Sequence, residues 1–217
     1  MKTKPLKAIL ILAGVLLLFS PISSKADTVY TLGIPNAAVS GFSGPYATAT
    51  VHLVDSTHAT ITVASLTSTY NGSPVIYLLI DGGITGLNVN GAFSLGTITG
   101  SNSFTGFSAP DFTNTGSGQI SEFGTFDQTI KNFDSFGHAV TQEVINLVAT
   151  GSNTWASDAT VLALDPLNTT QTFLVAAHIV PWDEAYNADR PVNTYGANTG
   201  FVGNGVPVPE PGILILL

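Results

Sequence analysis

Cysteine is absent from this chain of 217 residues. That excludes disulfide staples, thiolate metal sites, cysteine nucleophiles and lipid-modified cysteines together. Charge is scarce as well, with 6 Lys and Arg against 14 Asp and Glu, or 9% of residues. Helical bundles and coiled coils draw heavily on Lys, Glu and Arg, so this poverty argues against both. What the chain does hold is 44% hydrophobic residues punctuated by 22 Gly and 12 Pro. Short apolar runs between glycine-rich turns suit an all-β fold. The length leaves room for one domain of roughly 150–180 residues once a leader is set aside.

The leader is legible in the first 26 residues. Lys2, Lys4 and Lys7 form a cationic start, and the apolar run Ala8 to Phe19 follows. Pro21 interrupts it, and Ser24-Lys25-Ala26 then places small residues three positions and one position before Asp27. Charge, apolar stretch and small-residue site in that order define a secretory signal peptide, with cleavage expected between Ala26 and Asp27. The apolar run is too short to cross a bilayer comfortably, which takes about 20 residues. Cleavage would remove Lys2, Lys4, Lys7 and Lys25, leaving Lys131 and Arg190 against all 14 acids, so the mature charge is 2 − 14 = −12. Such a surface repels phosphates and anionic lipids, which excludes nucleic acid as a partner and limits membrane contact to the signal peptide and any C-terminal helix.

At the other end stands Val206-Pro207-Val208-Pro209-Glu210-Pro211, followed by Gly212 and five large aliphatic residues, Ile213 to Leu217. A proline-rich extended segment before an apolar run has the character of a linker leading to a membrane helix. The motif Pro209-Glu210-Pro211 resembles the PEP-CTERM sorting signal, in which Pro-Glu-Pro precedes a transmembrane helix and a basic cluster. Residues 207–217 carry the motif and the start of an apolar run without most of the helix or the arginines, so the expectation is either a tail that continues past Leu217 or a protein released without its anchor. The resemblance implies a Gram-negative bacterium that makes extracellular polysaccharide, an exosortase-type machinery as partner, and a location at the cell surface or outside the cell.

Between the ends, residues 27–185 are expected to form one antiparallel β-sandwich or jelly-roll-like domain, and 186–206 an exposed linker before a disordered proline-rich tail. Val51 and Leu53 alternate with Thr50 and His52, and Ile61 and Val63 alternate with Thr60 and Thr62. Period-two alternation marks half-buried strands, and a hairpin pairing Val51 with Val63 and Leu53 with Ile61 puts all four on one face. Further strands are expected at Val75–Ile80, across Leu87–Leu95 with Gly91 as a bulge, at Thr125–Asn132, at Glu143–Ala149 and at Thr172–Val180. Residues 99–121 have loop composition, and Trp155–Leu164 suits one short helical turn. The spacing of Phe123, Phe126, Ile130, Phe133 and Phe136 would fit a helix, but Gly124, Asp127, Thr129 and Asn132 are poor helix formers, so a strand is favoured. The runs Thr57 to Thr62, Gly124 to Asp134, Thr154 to Ala159 and Ala176 to Ile179 are similar to those of β-rich PEP-CTERM cargo proteins. No catalytic residue is implied by that resemblance.

Chemistry-bearing residues give no constellation. In His52-x-x-Asp55-x-x-His58, positions three apart on a strand face opposite ways, so His52 and Asp55 cannot converge on a metal. His178 shares parity with Leu174 and Ala176 and fits a core or rim position. The chain has no Gly-x-Ser-x-Gly elbow, no spacing that pairs Glu122, Glu143 and Glu184, and no twelve-residue calcium loop around Asp81 or Asp111, although either aspartate could offer oxygens to calcium. Trp155 suits a sandwich core, whereas exposed Trp182, Tyr186 or Tyr195 could stack on sugars. No catalytic, cofactor or metal residue is therefore assigned. The leading expectation is an exported non-enzymatic protein of the cell envelope or of an exopolysaccharide matrix. A secreted carbohydrate-binding module is the alternative, and a secreted hydrolase stands third.

Overall fold

A computed structural model describes residues 26–70, 73–79, 84–132, 136–182, 199–204 and 208–209. The leader before Ala26 and the residues Asp81, Glu184, Tyr186, Arg190, Tyr195, Glu210 and Pro211 lie outside them. The described residues form thirteen strands: β1 (Thr28–Pro35), β2 (Ala47–Asp55), β3 (His58–Ser65), β4 (Thr67–Tyr70), β5 (Ser73–Leu79), β6 (Ile84–Leu87) and β7 (Phe93–Ser101), then β8 (Thr113–Gln119), β9 (Thr125–Lys131), β10 (Gln142–Ala149), β11 (Val175–Trp182), β12 (Gly200–Asn204) and β13 (Val208–Pro209). The only helical pieces among the described residues are three short 3-10 turns, one of them, Asp158–Thr160, inside the expected helical stretch. The main path runs β7-β10-β3-β2-β1-β12-β11-β6-β9-β8, with every pair antiparallel. The sheet curls into a nearly closed, sandwich-like barrel around one dominant core. The chain is all-β, as its composition predicts.

The β2–β3 hairpin shows how sequence sets structure here. Val51, Leu53, Ile61 and Val63 are all buried on one face while their Thr and His neighbours stay half-buried or exposed. The register differs from the expected one: Val51 pairs with Ile61, Leu53 with Ala59 and Ala49 with Val63. The reason is Asp55, whose Oδ1 accepts the amides of Thr57 at 2.7 Å and His58 at 2.9 Å. That aspartate turn shortens the loop to Ser56-Thr57 and slides the ladder by two residues, which preserves facing because side chains alternate with period two.

Three further expectations need correction. The single strand over Leu87–Leu95 is two strands, because the chain leaves the sheet at buried Asn88 and turns at Gly91 (φ +76°). Asn88 fixes the break: its Nδ2 donates to the Phe173 carbonyl at 2.7 Å and its Oδ1 accepts the Asp127 amide at 2.9 Å. Within 99–121, β7 runs on to Ser101 and Thr113–Gln119 is strand β8. As an edge strand exposed on much of its length, β8 has no apolar alternation to announce it.

The linker over 186–206 is corrected at its end, where Gly200–Asn204 is strand β12, inserted between β1 and β11 with Val202 wholly buried. Its glycines permit the insertion. A Cβ on Gly203 would stand 2.6 Å from the Phe123 ring and 2.8 Å from that of Phe173, so only glycine lets these rings lie on the strand. Glycine-rich composition here records close packing.

Candidate functional site

The residues singled out in the sequence fall into separate places. His52 and Asp55 part company, as the strand geometry requires. Asp55 turns to His58, whose Nδ1 lies 3.0 Å from both carboxylate oxygens. The amides and hydroxyl gathered on Asp55, that of Thr57 first, hold its carboxyl well below the usual carboxylate range. Thr57 Oγ1 also lies 3.0 Å from His58 Nδ1. Hydroxyl and carboxylate thus compete for one ring nitrogen, whereas a nucleophilic relay needs them on opposite nitrogens.

His52 instead faces Asp27. In the β1–β2 ladder Thr28 pairs with Val51, so the preceding residue of β1 falls beside the following residue of β2. His52 Nδ1 lies 2.7 Å from Asp27 Oδ1, with both side chains substantially exposed. A third group joins them from the 158 turn. Asp158 is buried, and its Oδ1 accepts the amide of Leu53, which lies beyond the last β1 partner and would otherwise lack an acceptor on that side. Thr160 Oγ1 braces the turn by accepting the amides of Ala156 and Ser157, each at 3.1 Å. Asp27, His52 and Asp158 offer ligand atoms that all lie within 4.8 Å of one another. No local spacing could reveal this convergence, since its members come from three distant segments.

A concavity of about 570 Å³ opens beside the break between β6 and β7. Its lining includes Asn90, Asp127 and Asp165 together with Phe93, Leu164 and Pro166. Asp127 is anchored rather than free: Oδ2 accepts the Val89 amide at 3.1 Å and Oδ1 accepts from Gln171 Nε2 at 2.7 Å. Burial raises its pKa, with the nearby Asp165 carboxylate adding to the effect against those hydrogen bonds. Beneath the cavity Trp155 is buried, its Nε1 donating to the Asn90 carbonyl at 2.9 Å. Trp182 is also buried, against Phe104 and Phe107. Neither tryptophan is therefore available as an exposed sugar platform. Asp111 is exposed and gives its amide to Asn132 Oδ1 at 2.8 Å.

Two titratable groups sit inside the protein. The Glu143 side chain points into a small cavity with Thr85, Phe112, Ile130 and Val140. Thr85 Oγ1 donates to its Oε2 at 2.6 Å, but among the described residues nothing reaches Oε1. Burial pushes the carboxyl up to about 7, against the opposing hydrogen bond from Thr85. His178 stacks on Phe201, with ring centroids 4.4 Å apart at 16°. Burial pushes it down to about 4, so it is a neutral packing residue at physiological pH.

The last described strand, β13, pairs with β1. The first residue of β1, Thr28, follows the expected cleavage position by one residue, and Thr28 and Val29 pair with Pro209 and Val208 of β13. Pro209 thus lies beside the start of the sheet. The chain matches no family model, no curated protein and no solved structure.

Proposed function

We propose that this chain is an exported, non-enzymatic protein of the cell envelope or exopolysaccharide matrix, sorted through Pro209-Glu210-Pro211 by exosortase-type machinery. The observation that carries the reading is the coincidence of leader and fold boundaries. Strand β1 begins at Thr28, one residue after the junction that the leader pattern marks between Ala26 and Asp27. The pairing of Pro209 with Thr28 supports the sorting part, because it brings the first residue of the motif beside the expected mature start. The separation of His52, His58 and His178 into an exposed contact, a turn and a ring stack supports a non-catalytic role.

Fractionation of a Gram-negative host carrying an exosortase tests the reading. Wild-type protein is expected at the surface or in the medium, and replacement of Pro209, Glu210 and Pro211 by alanine is expected to change that distribution without blocking export. Full-length material confined to the cytoplasm refutes the proposal.

A second reading, carbohydrate binding, is favoured by the cavity of about 570 Å³, whose lining combines carboxylates and an amide with aromatic and aliphatic residues. Titration with oligosaccharides of the host matrix tests it. Saturable binding that Phe93→Ala weakens supports the reading, and absence of binding removes it.

A further inference from the structure

We propose that Asp27, His52 and Asp158 form a binding site for a divalent transition-metal ion of the Zn²⁺ type, which fastens the start of the sheet to the 158 turn. Geometry comes first. The candidate ligand atoms lie within 4.8 Å of one another. Donors held about 2.0–2.2 Å from one ion stand roughly 3 to 4.4 Å apart, so closure needs side-chain shifts well under a residue's reach. The His52–Asp27 separation of 2.7 Å is already close to that of neighbouring ligands.

Electrostatics gives an independent reason. Asp158 is 4% exposed, and among the described residues the Leu53 amide is the only hydrogen-bond donor to its carboxylate. A buried carboxylate next to a second one calls for positive charge. The one fixed cation among the described residues, Lys131, is on β9, which pairs with neither β1 nor β2. The α-amino group that cleavage would leave on Asp27 sets one charge against two carboxylates, and His52 adds a second only when protonated. A divalent ion neutralises both carboxylates with the imidazole neutral, the form in which it ligates.

The donor set selects the ion. One imidazole nitrogen and two carboxylate oxygens suit Zn²⁺ and similar borderline ions, while Ca²⁺ wants six to eight oxygens. Side-chain exposures of 57% for His52 and 36% for Asp27 leave a path for the ion and room for water as a further ligand.

The experiment is calorimetric titration of the untagged, chelator-stripped protein with Zn²⁺ near pH 7.5, with thermal melts in parallel. One saturable Zn²⁺ per chain is expected, with a raised melting midpoint, because the ion binds the folded state alone. His52→Ala changes an exposed side chain and is expected to weaken binding at least tenfold and abolish the thermal shift. The other exposed His–Asp contact, His58 with Asp55, lacks a second carboxylate as third ligand, so His58→Ala should bind as wild type does. Asp158 also holds the Leu53 amide, so Asp27→Asn rather than an Asp158 variant supplies the carboxylate test, again with loss of affinity. No saturable binding by the wild-type protein, or equal binding by His52→Ala, overturns the proposal.

Discussion

Glu143 and His178 should give this protein two opposed pH dependences that nearly cancel. The Glu143 carboxyl is raised from 4.5 to about 7, so the folded state binds its proton more tightly than the unfolded chain does. Its contribution is fully present below about pH 4.5 and is lost as pH rises through about 7. At 1.36 kcal/mol per pH unit, the loss is about 3 kcal/mol. His178 runs the other way. Its pKa falls from 6.5 to about 4, so its stabilisation is present above pH 6.5 and is lost as pH falls toward 4. The size is similar or somewhat smaller, because that ring is only partly covered. Between pH 4.5 and 6.5 the wild-type profile should therefore stay comparatively flat. Glu143→Gln removes one arm and should leave a protein that weakens on acidification. His178→Phe keeps the stack on Phe201 and should leave one that weakens as pH rises to 7. Urea denaturation at half-unit intervals from pH 4 to 8 measures all three profiles. Variants whose profiles run parallel to the wild type would refute both assignments.

Two other substitutions probe the core directly. Gly203→Ala forces a methyl group against the Phe123 and Phe173 rings and should cost about 1–3 kcal/mol, while Gly41→Ala, with no atom within 4 Å of the new carbon, should change little. Chemical denaturation of the pair distinguishes a packed β12 from a free linker. Trp155→Ala empties a fully buried site and removes one of two donors to the Asn90 carbonyl, the other being Asn153 Nδ2, for an expected loss of about 3–5 kcal/mol read from the urea midpoint.

Where local pattern and tertiary role coincide, the sequence was transparent. The alternation in β2 and β3 and the apolar content of β10 and β11 are legible because each strand has one buried face. β9 was legible against its helix-like aromatic spacing, since Asp127, Thr129 and Gly124 disfavour a helix. β8 and β12 were not. The first is a polar edge strand, and the second uses glycine to admit neighbouring rings, so both carry the composition of loops. The hairpin register depended on the Asp55 turn, which alternation alone does not encode. The site fared differently from the fold. His52 could be excluded from a cluster with Asp55 by strand parity, yet its true neighbours, Asp27 and Asp158, are 25 and 106 residues away and meet it only through sheet order. Buried Glu143 likewise looks in sequence like any strand glutamate.

The central claim is an exported β-domain whose mature chain starts where its sheet starts. Intact mass together with N-terminal sequencing of protein recovered from a Gram-negative host tests it most directly. A chain outside the cytoplasm beginning at Asp27 is the result expected; a chain in the cytoplasm still carrying Met1 contradicts it.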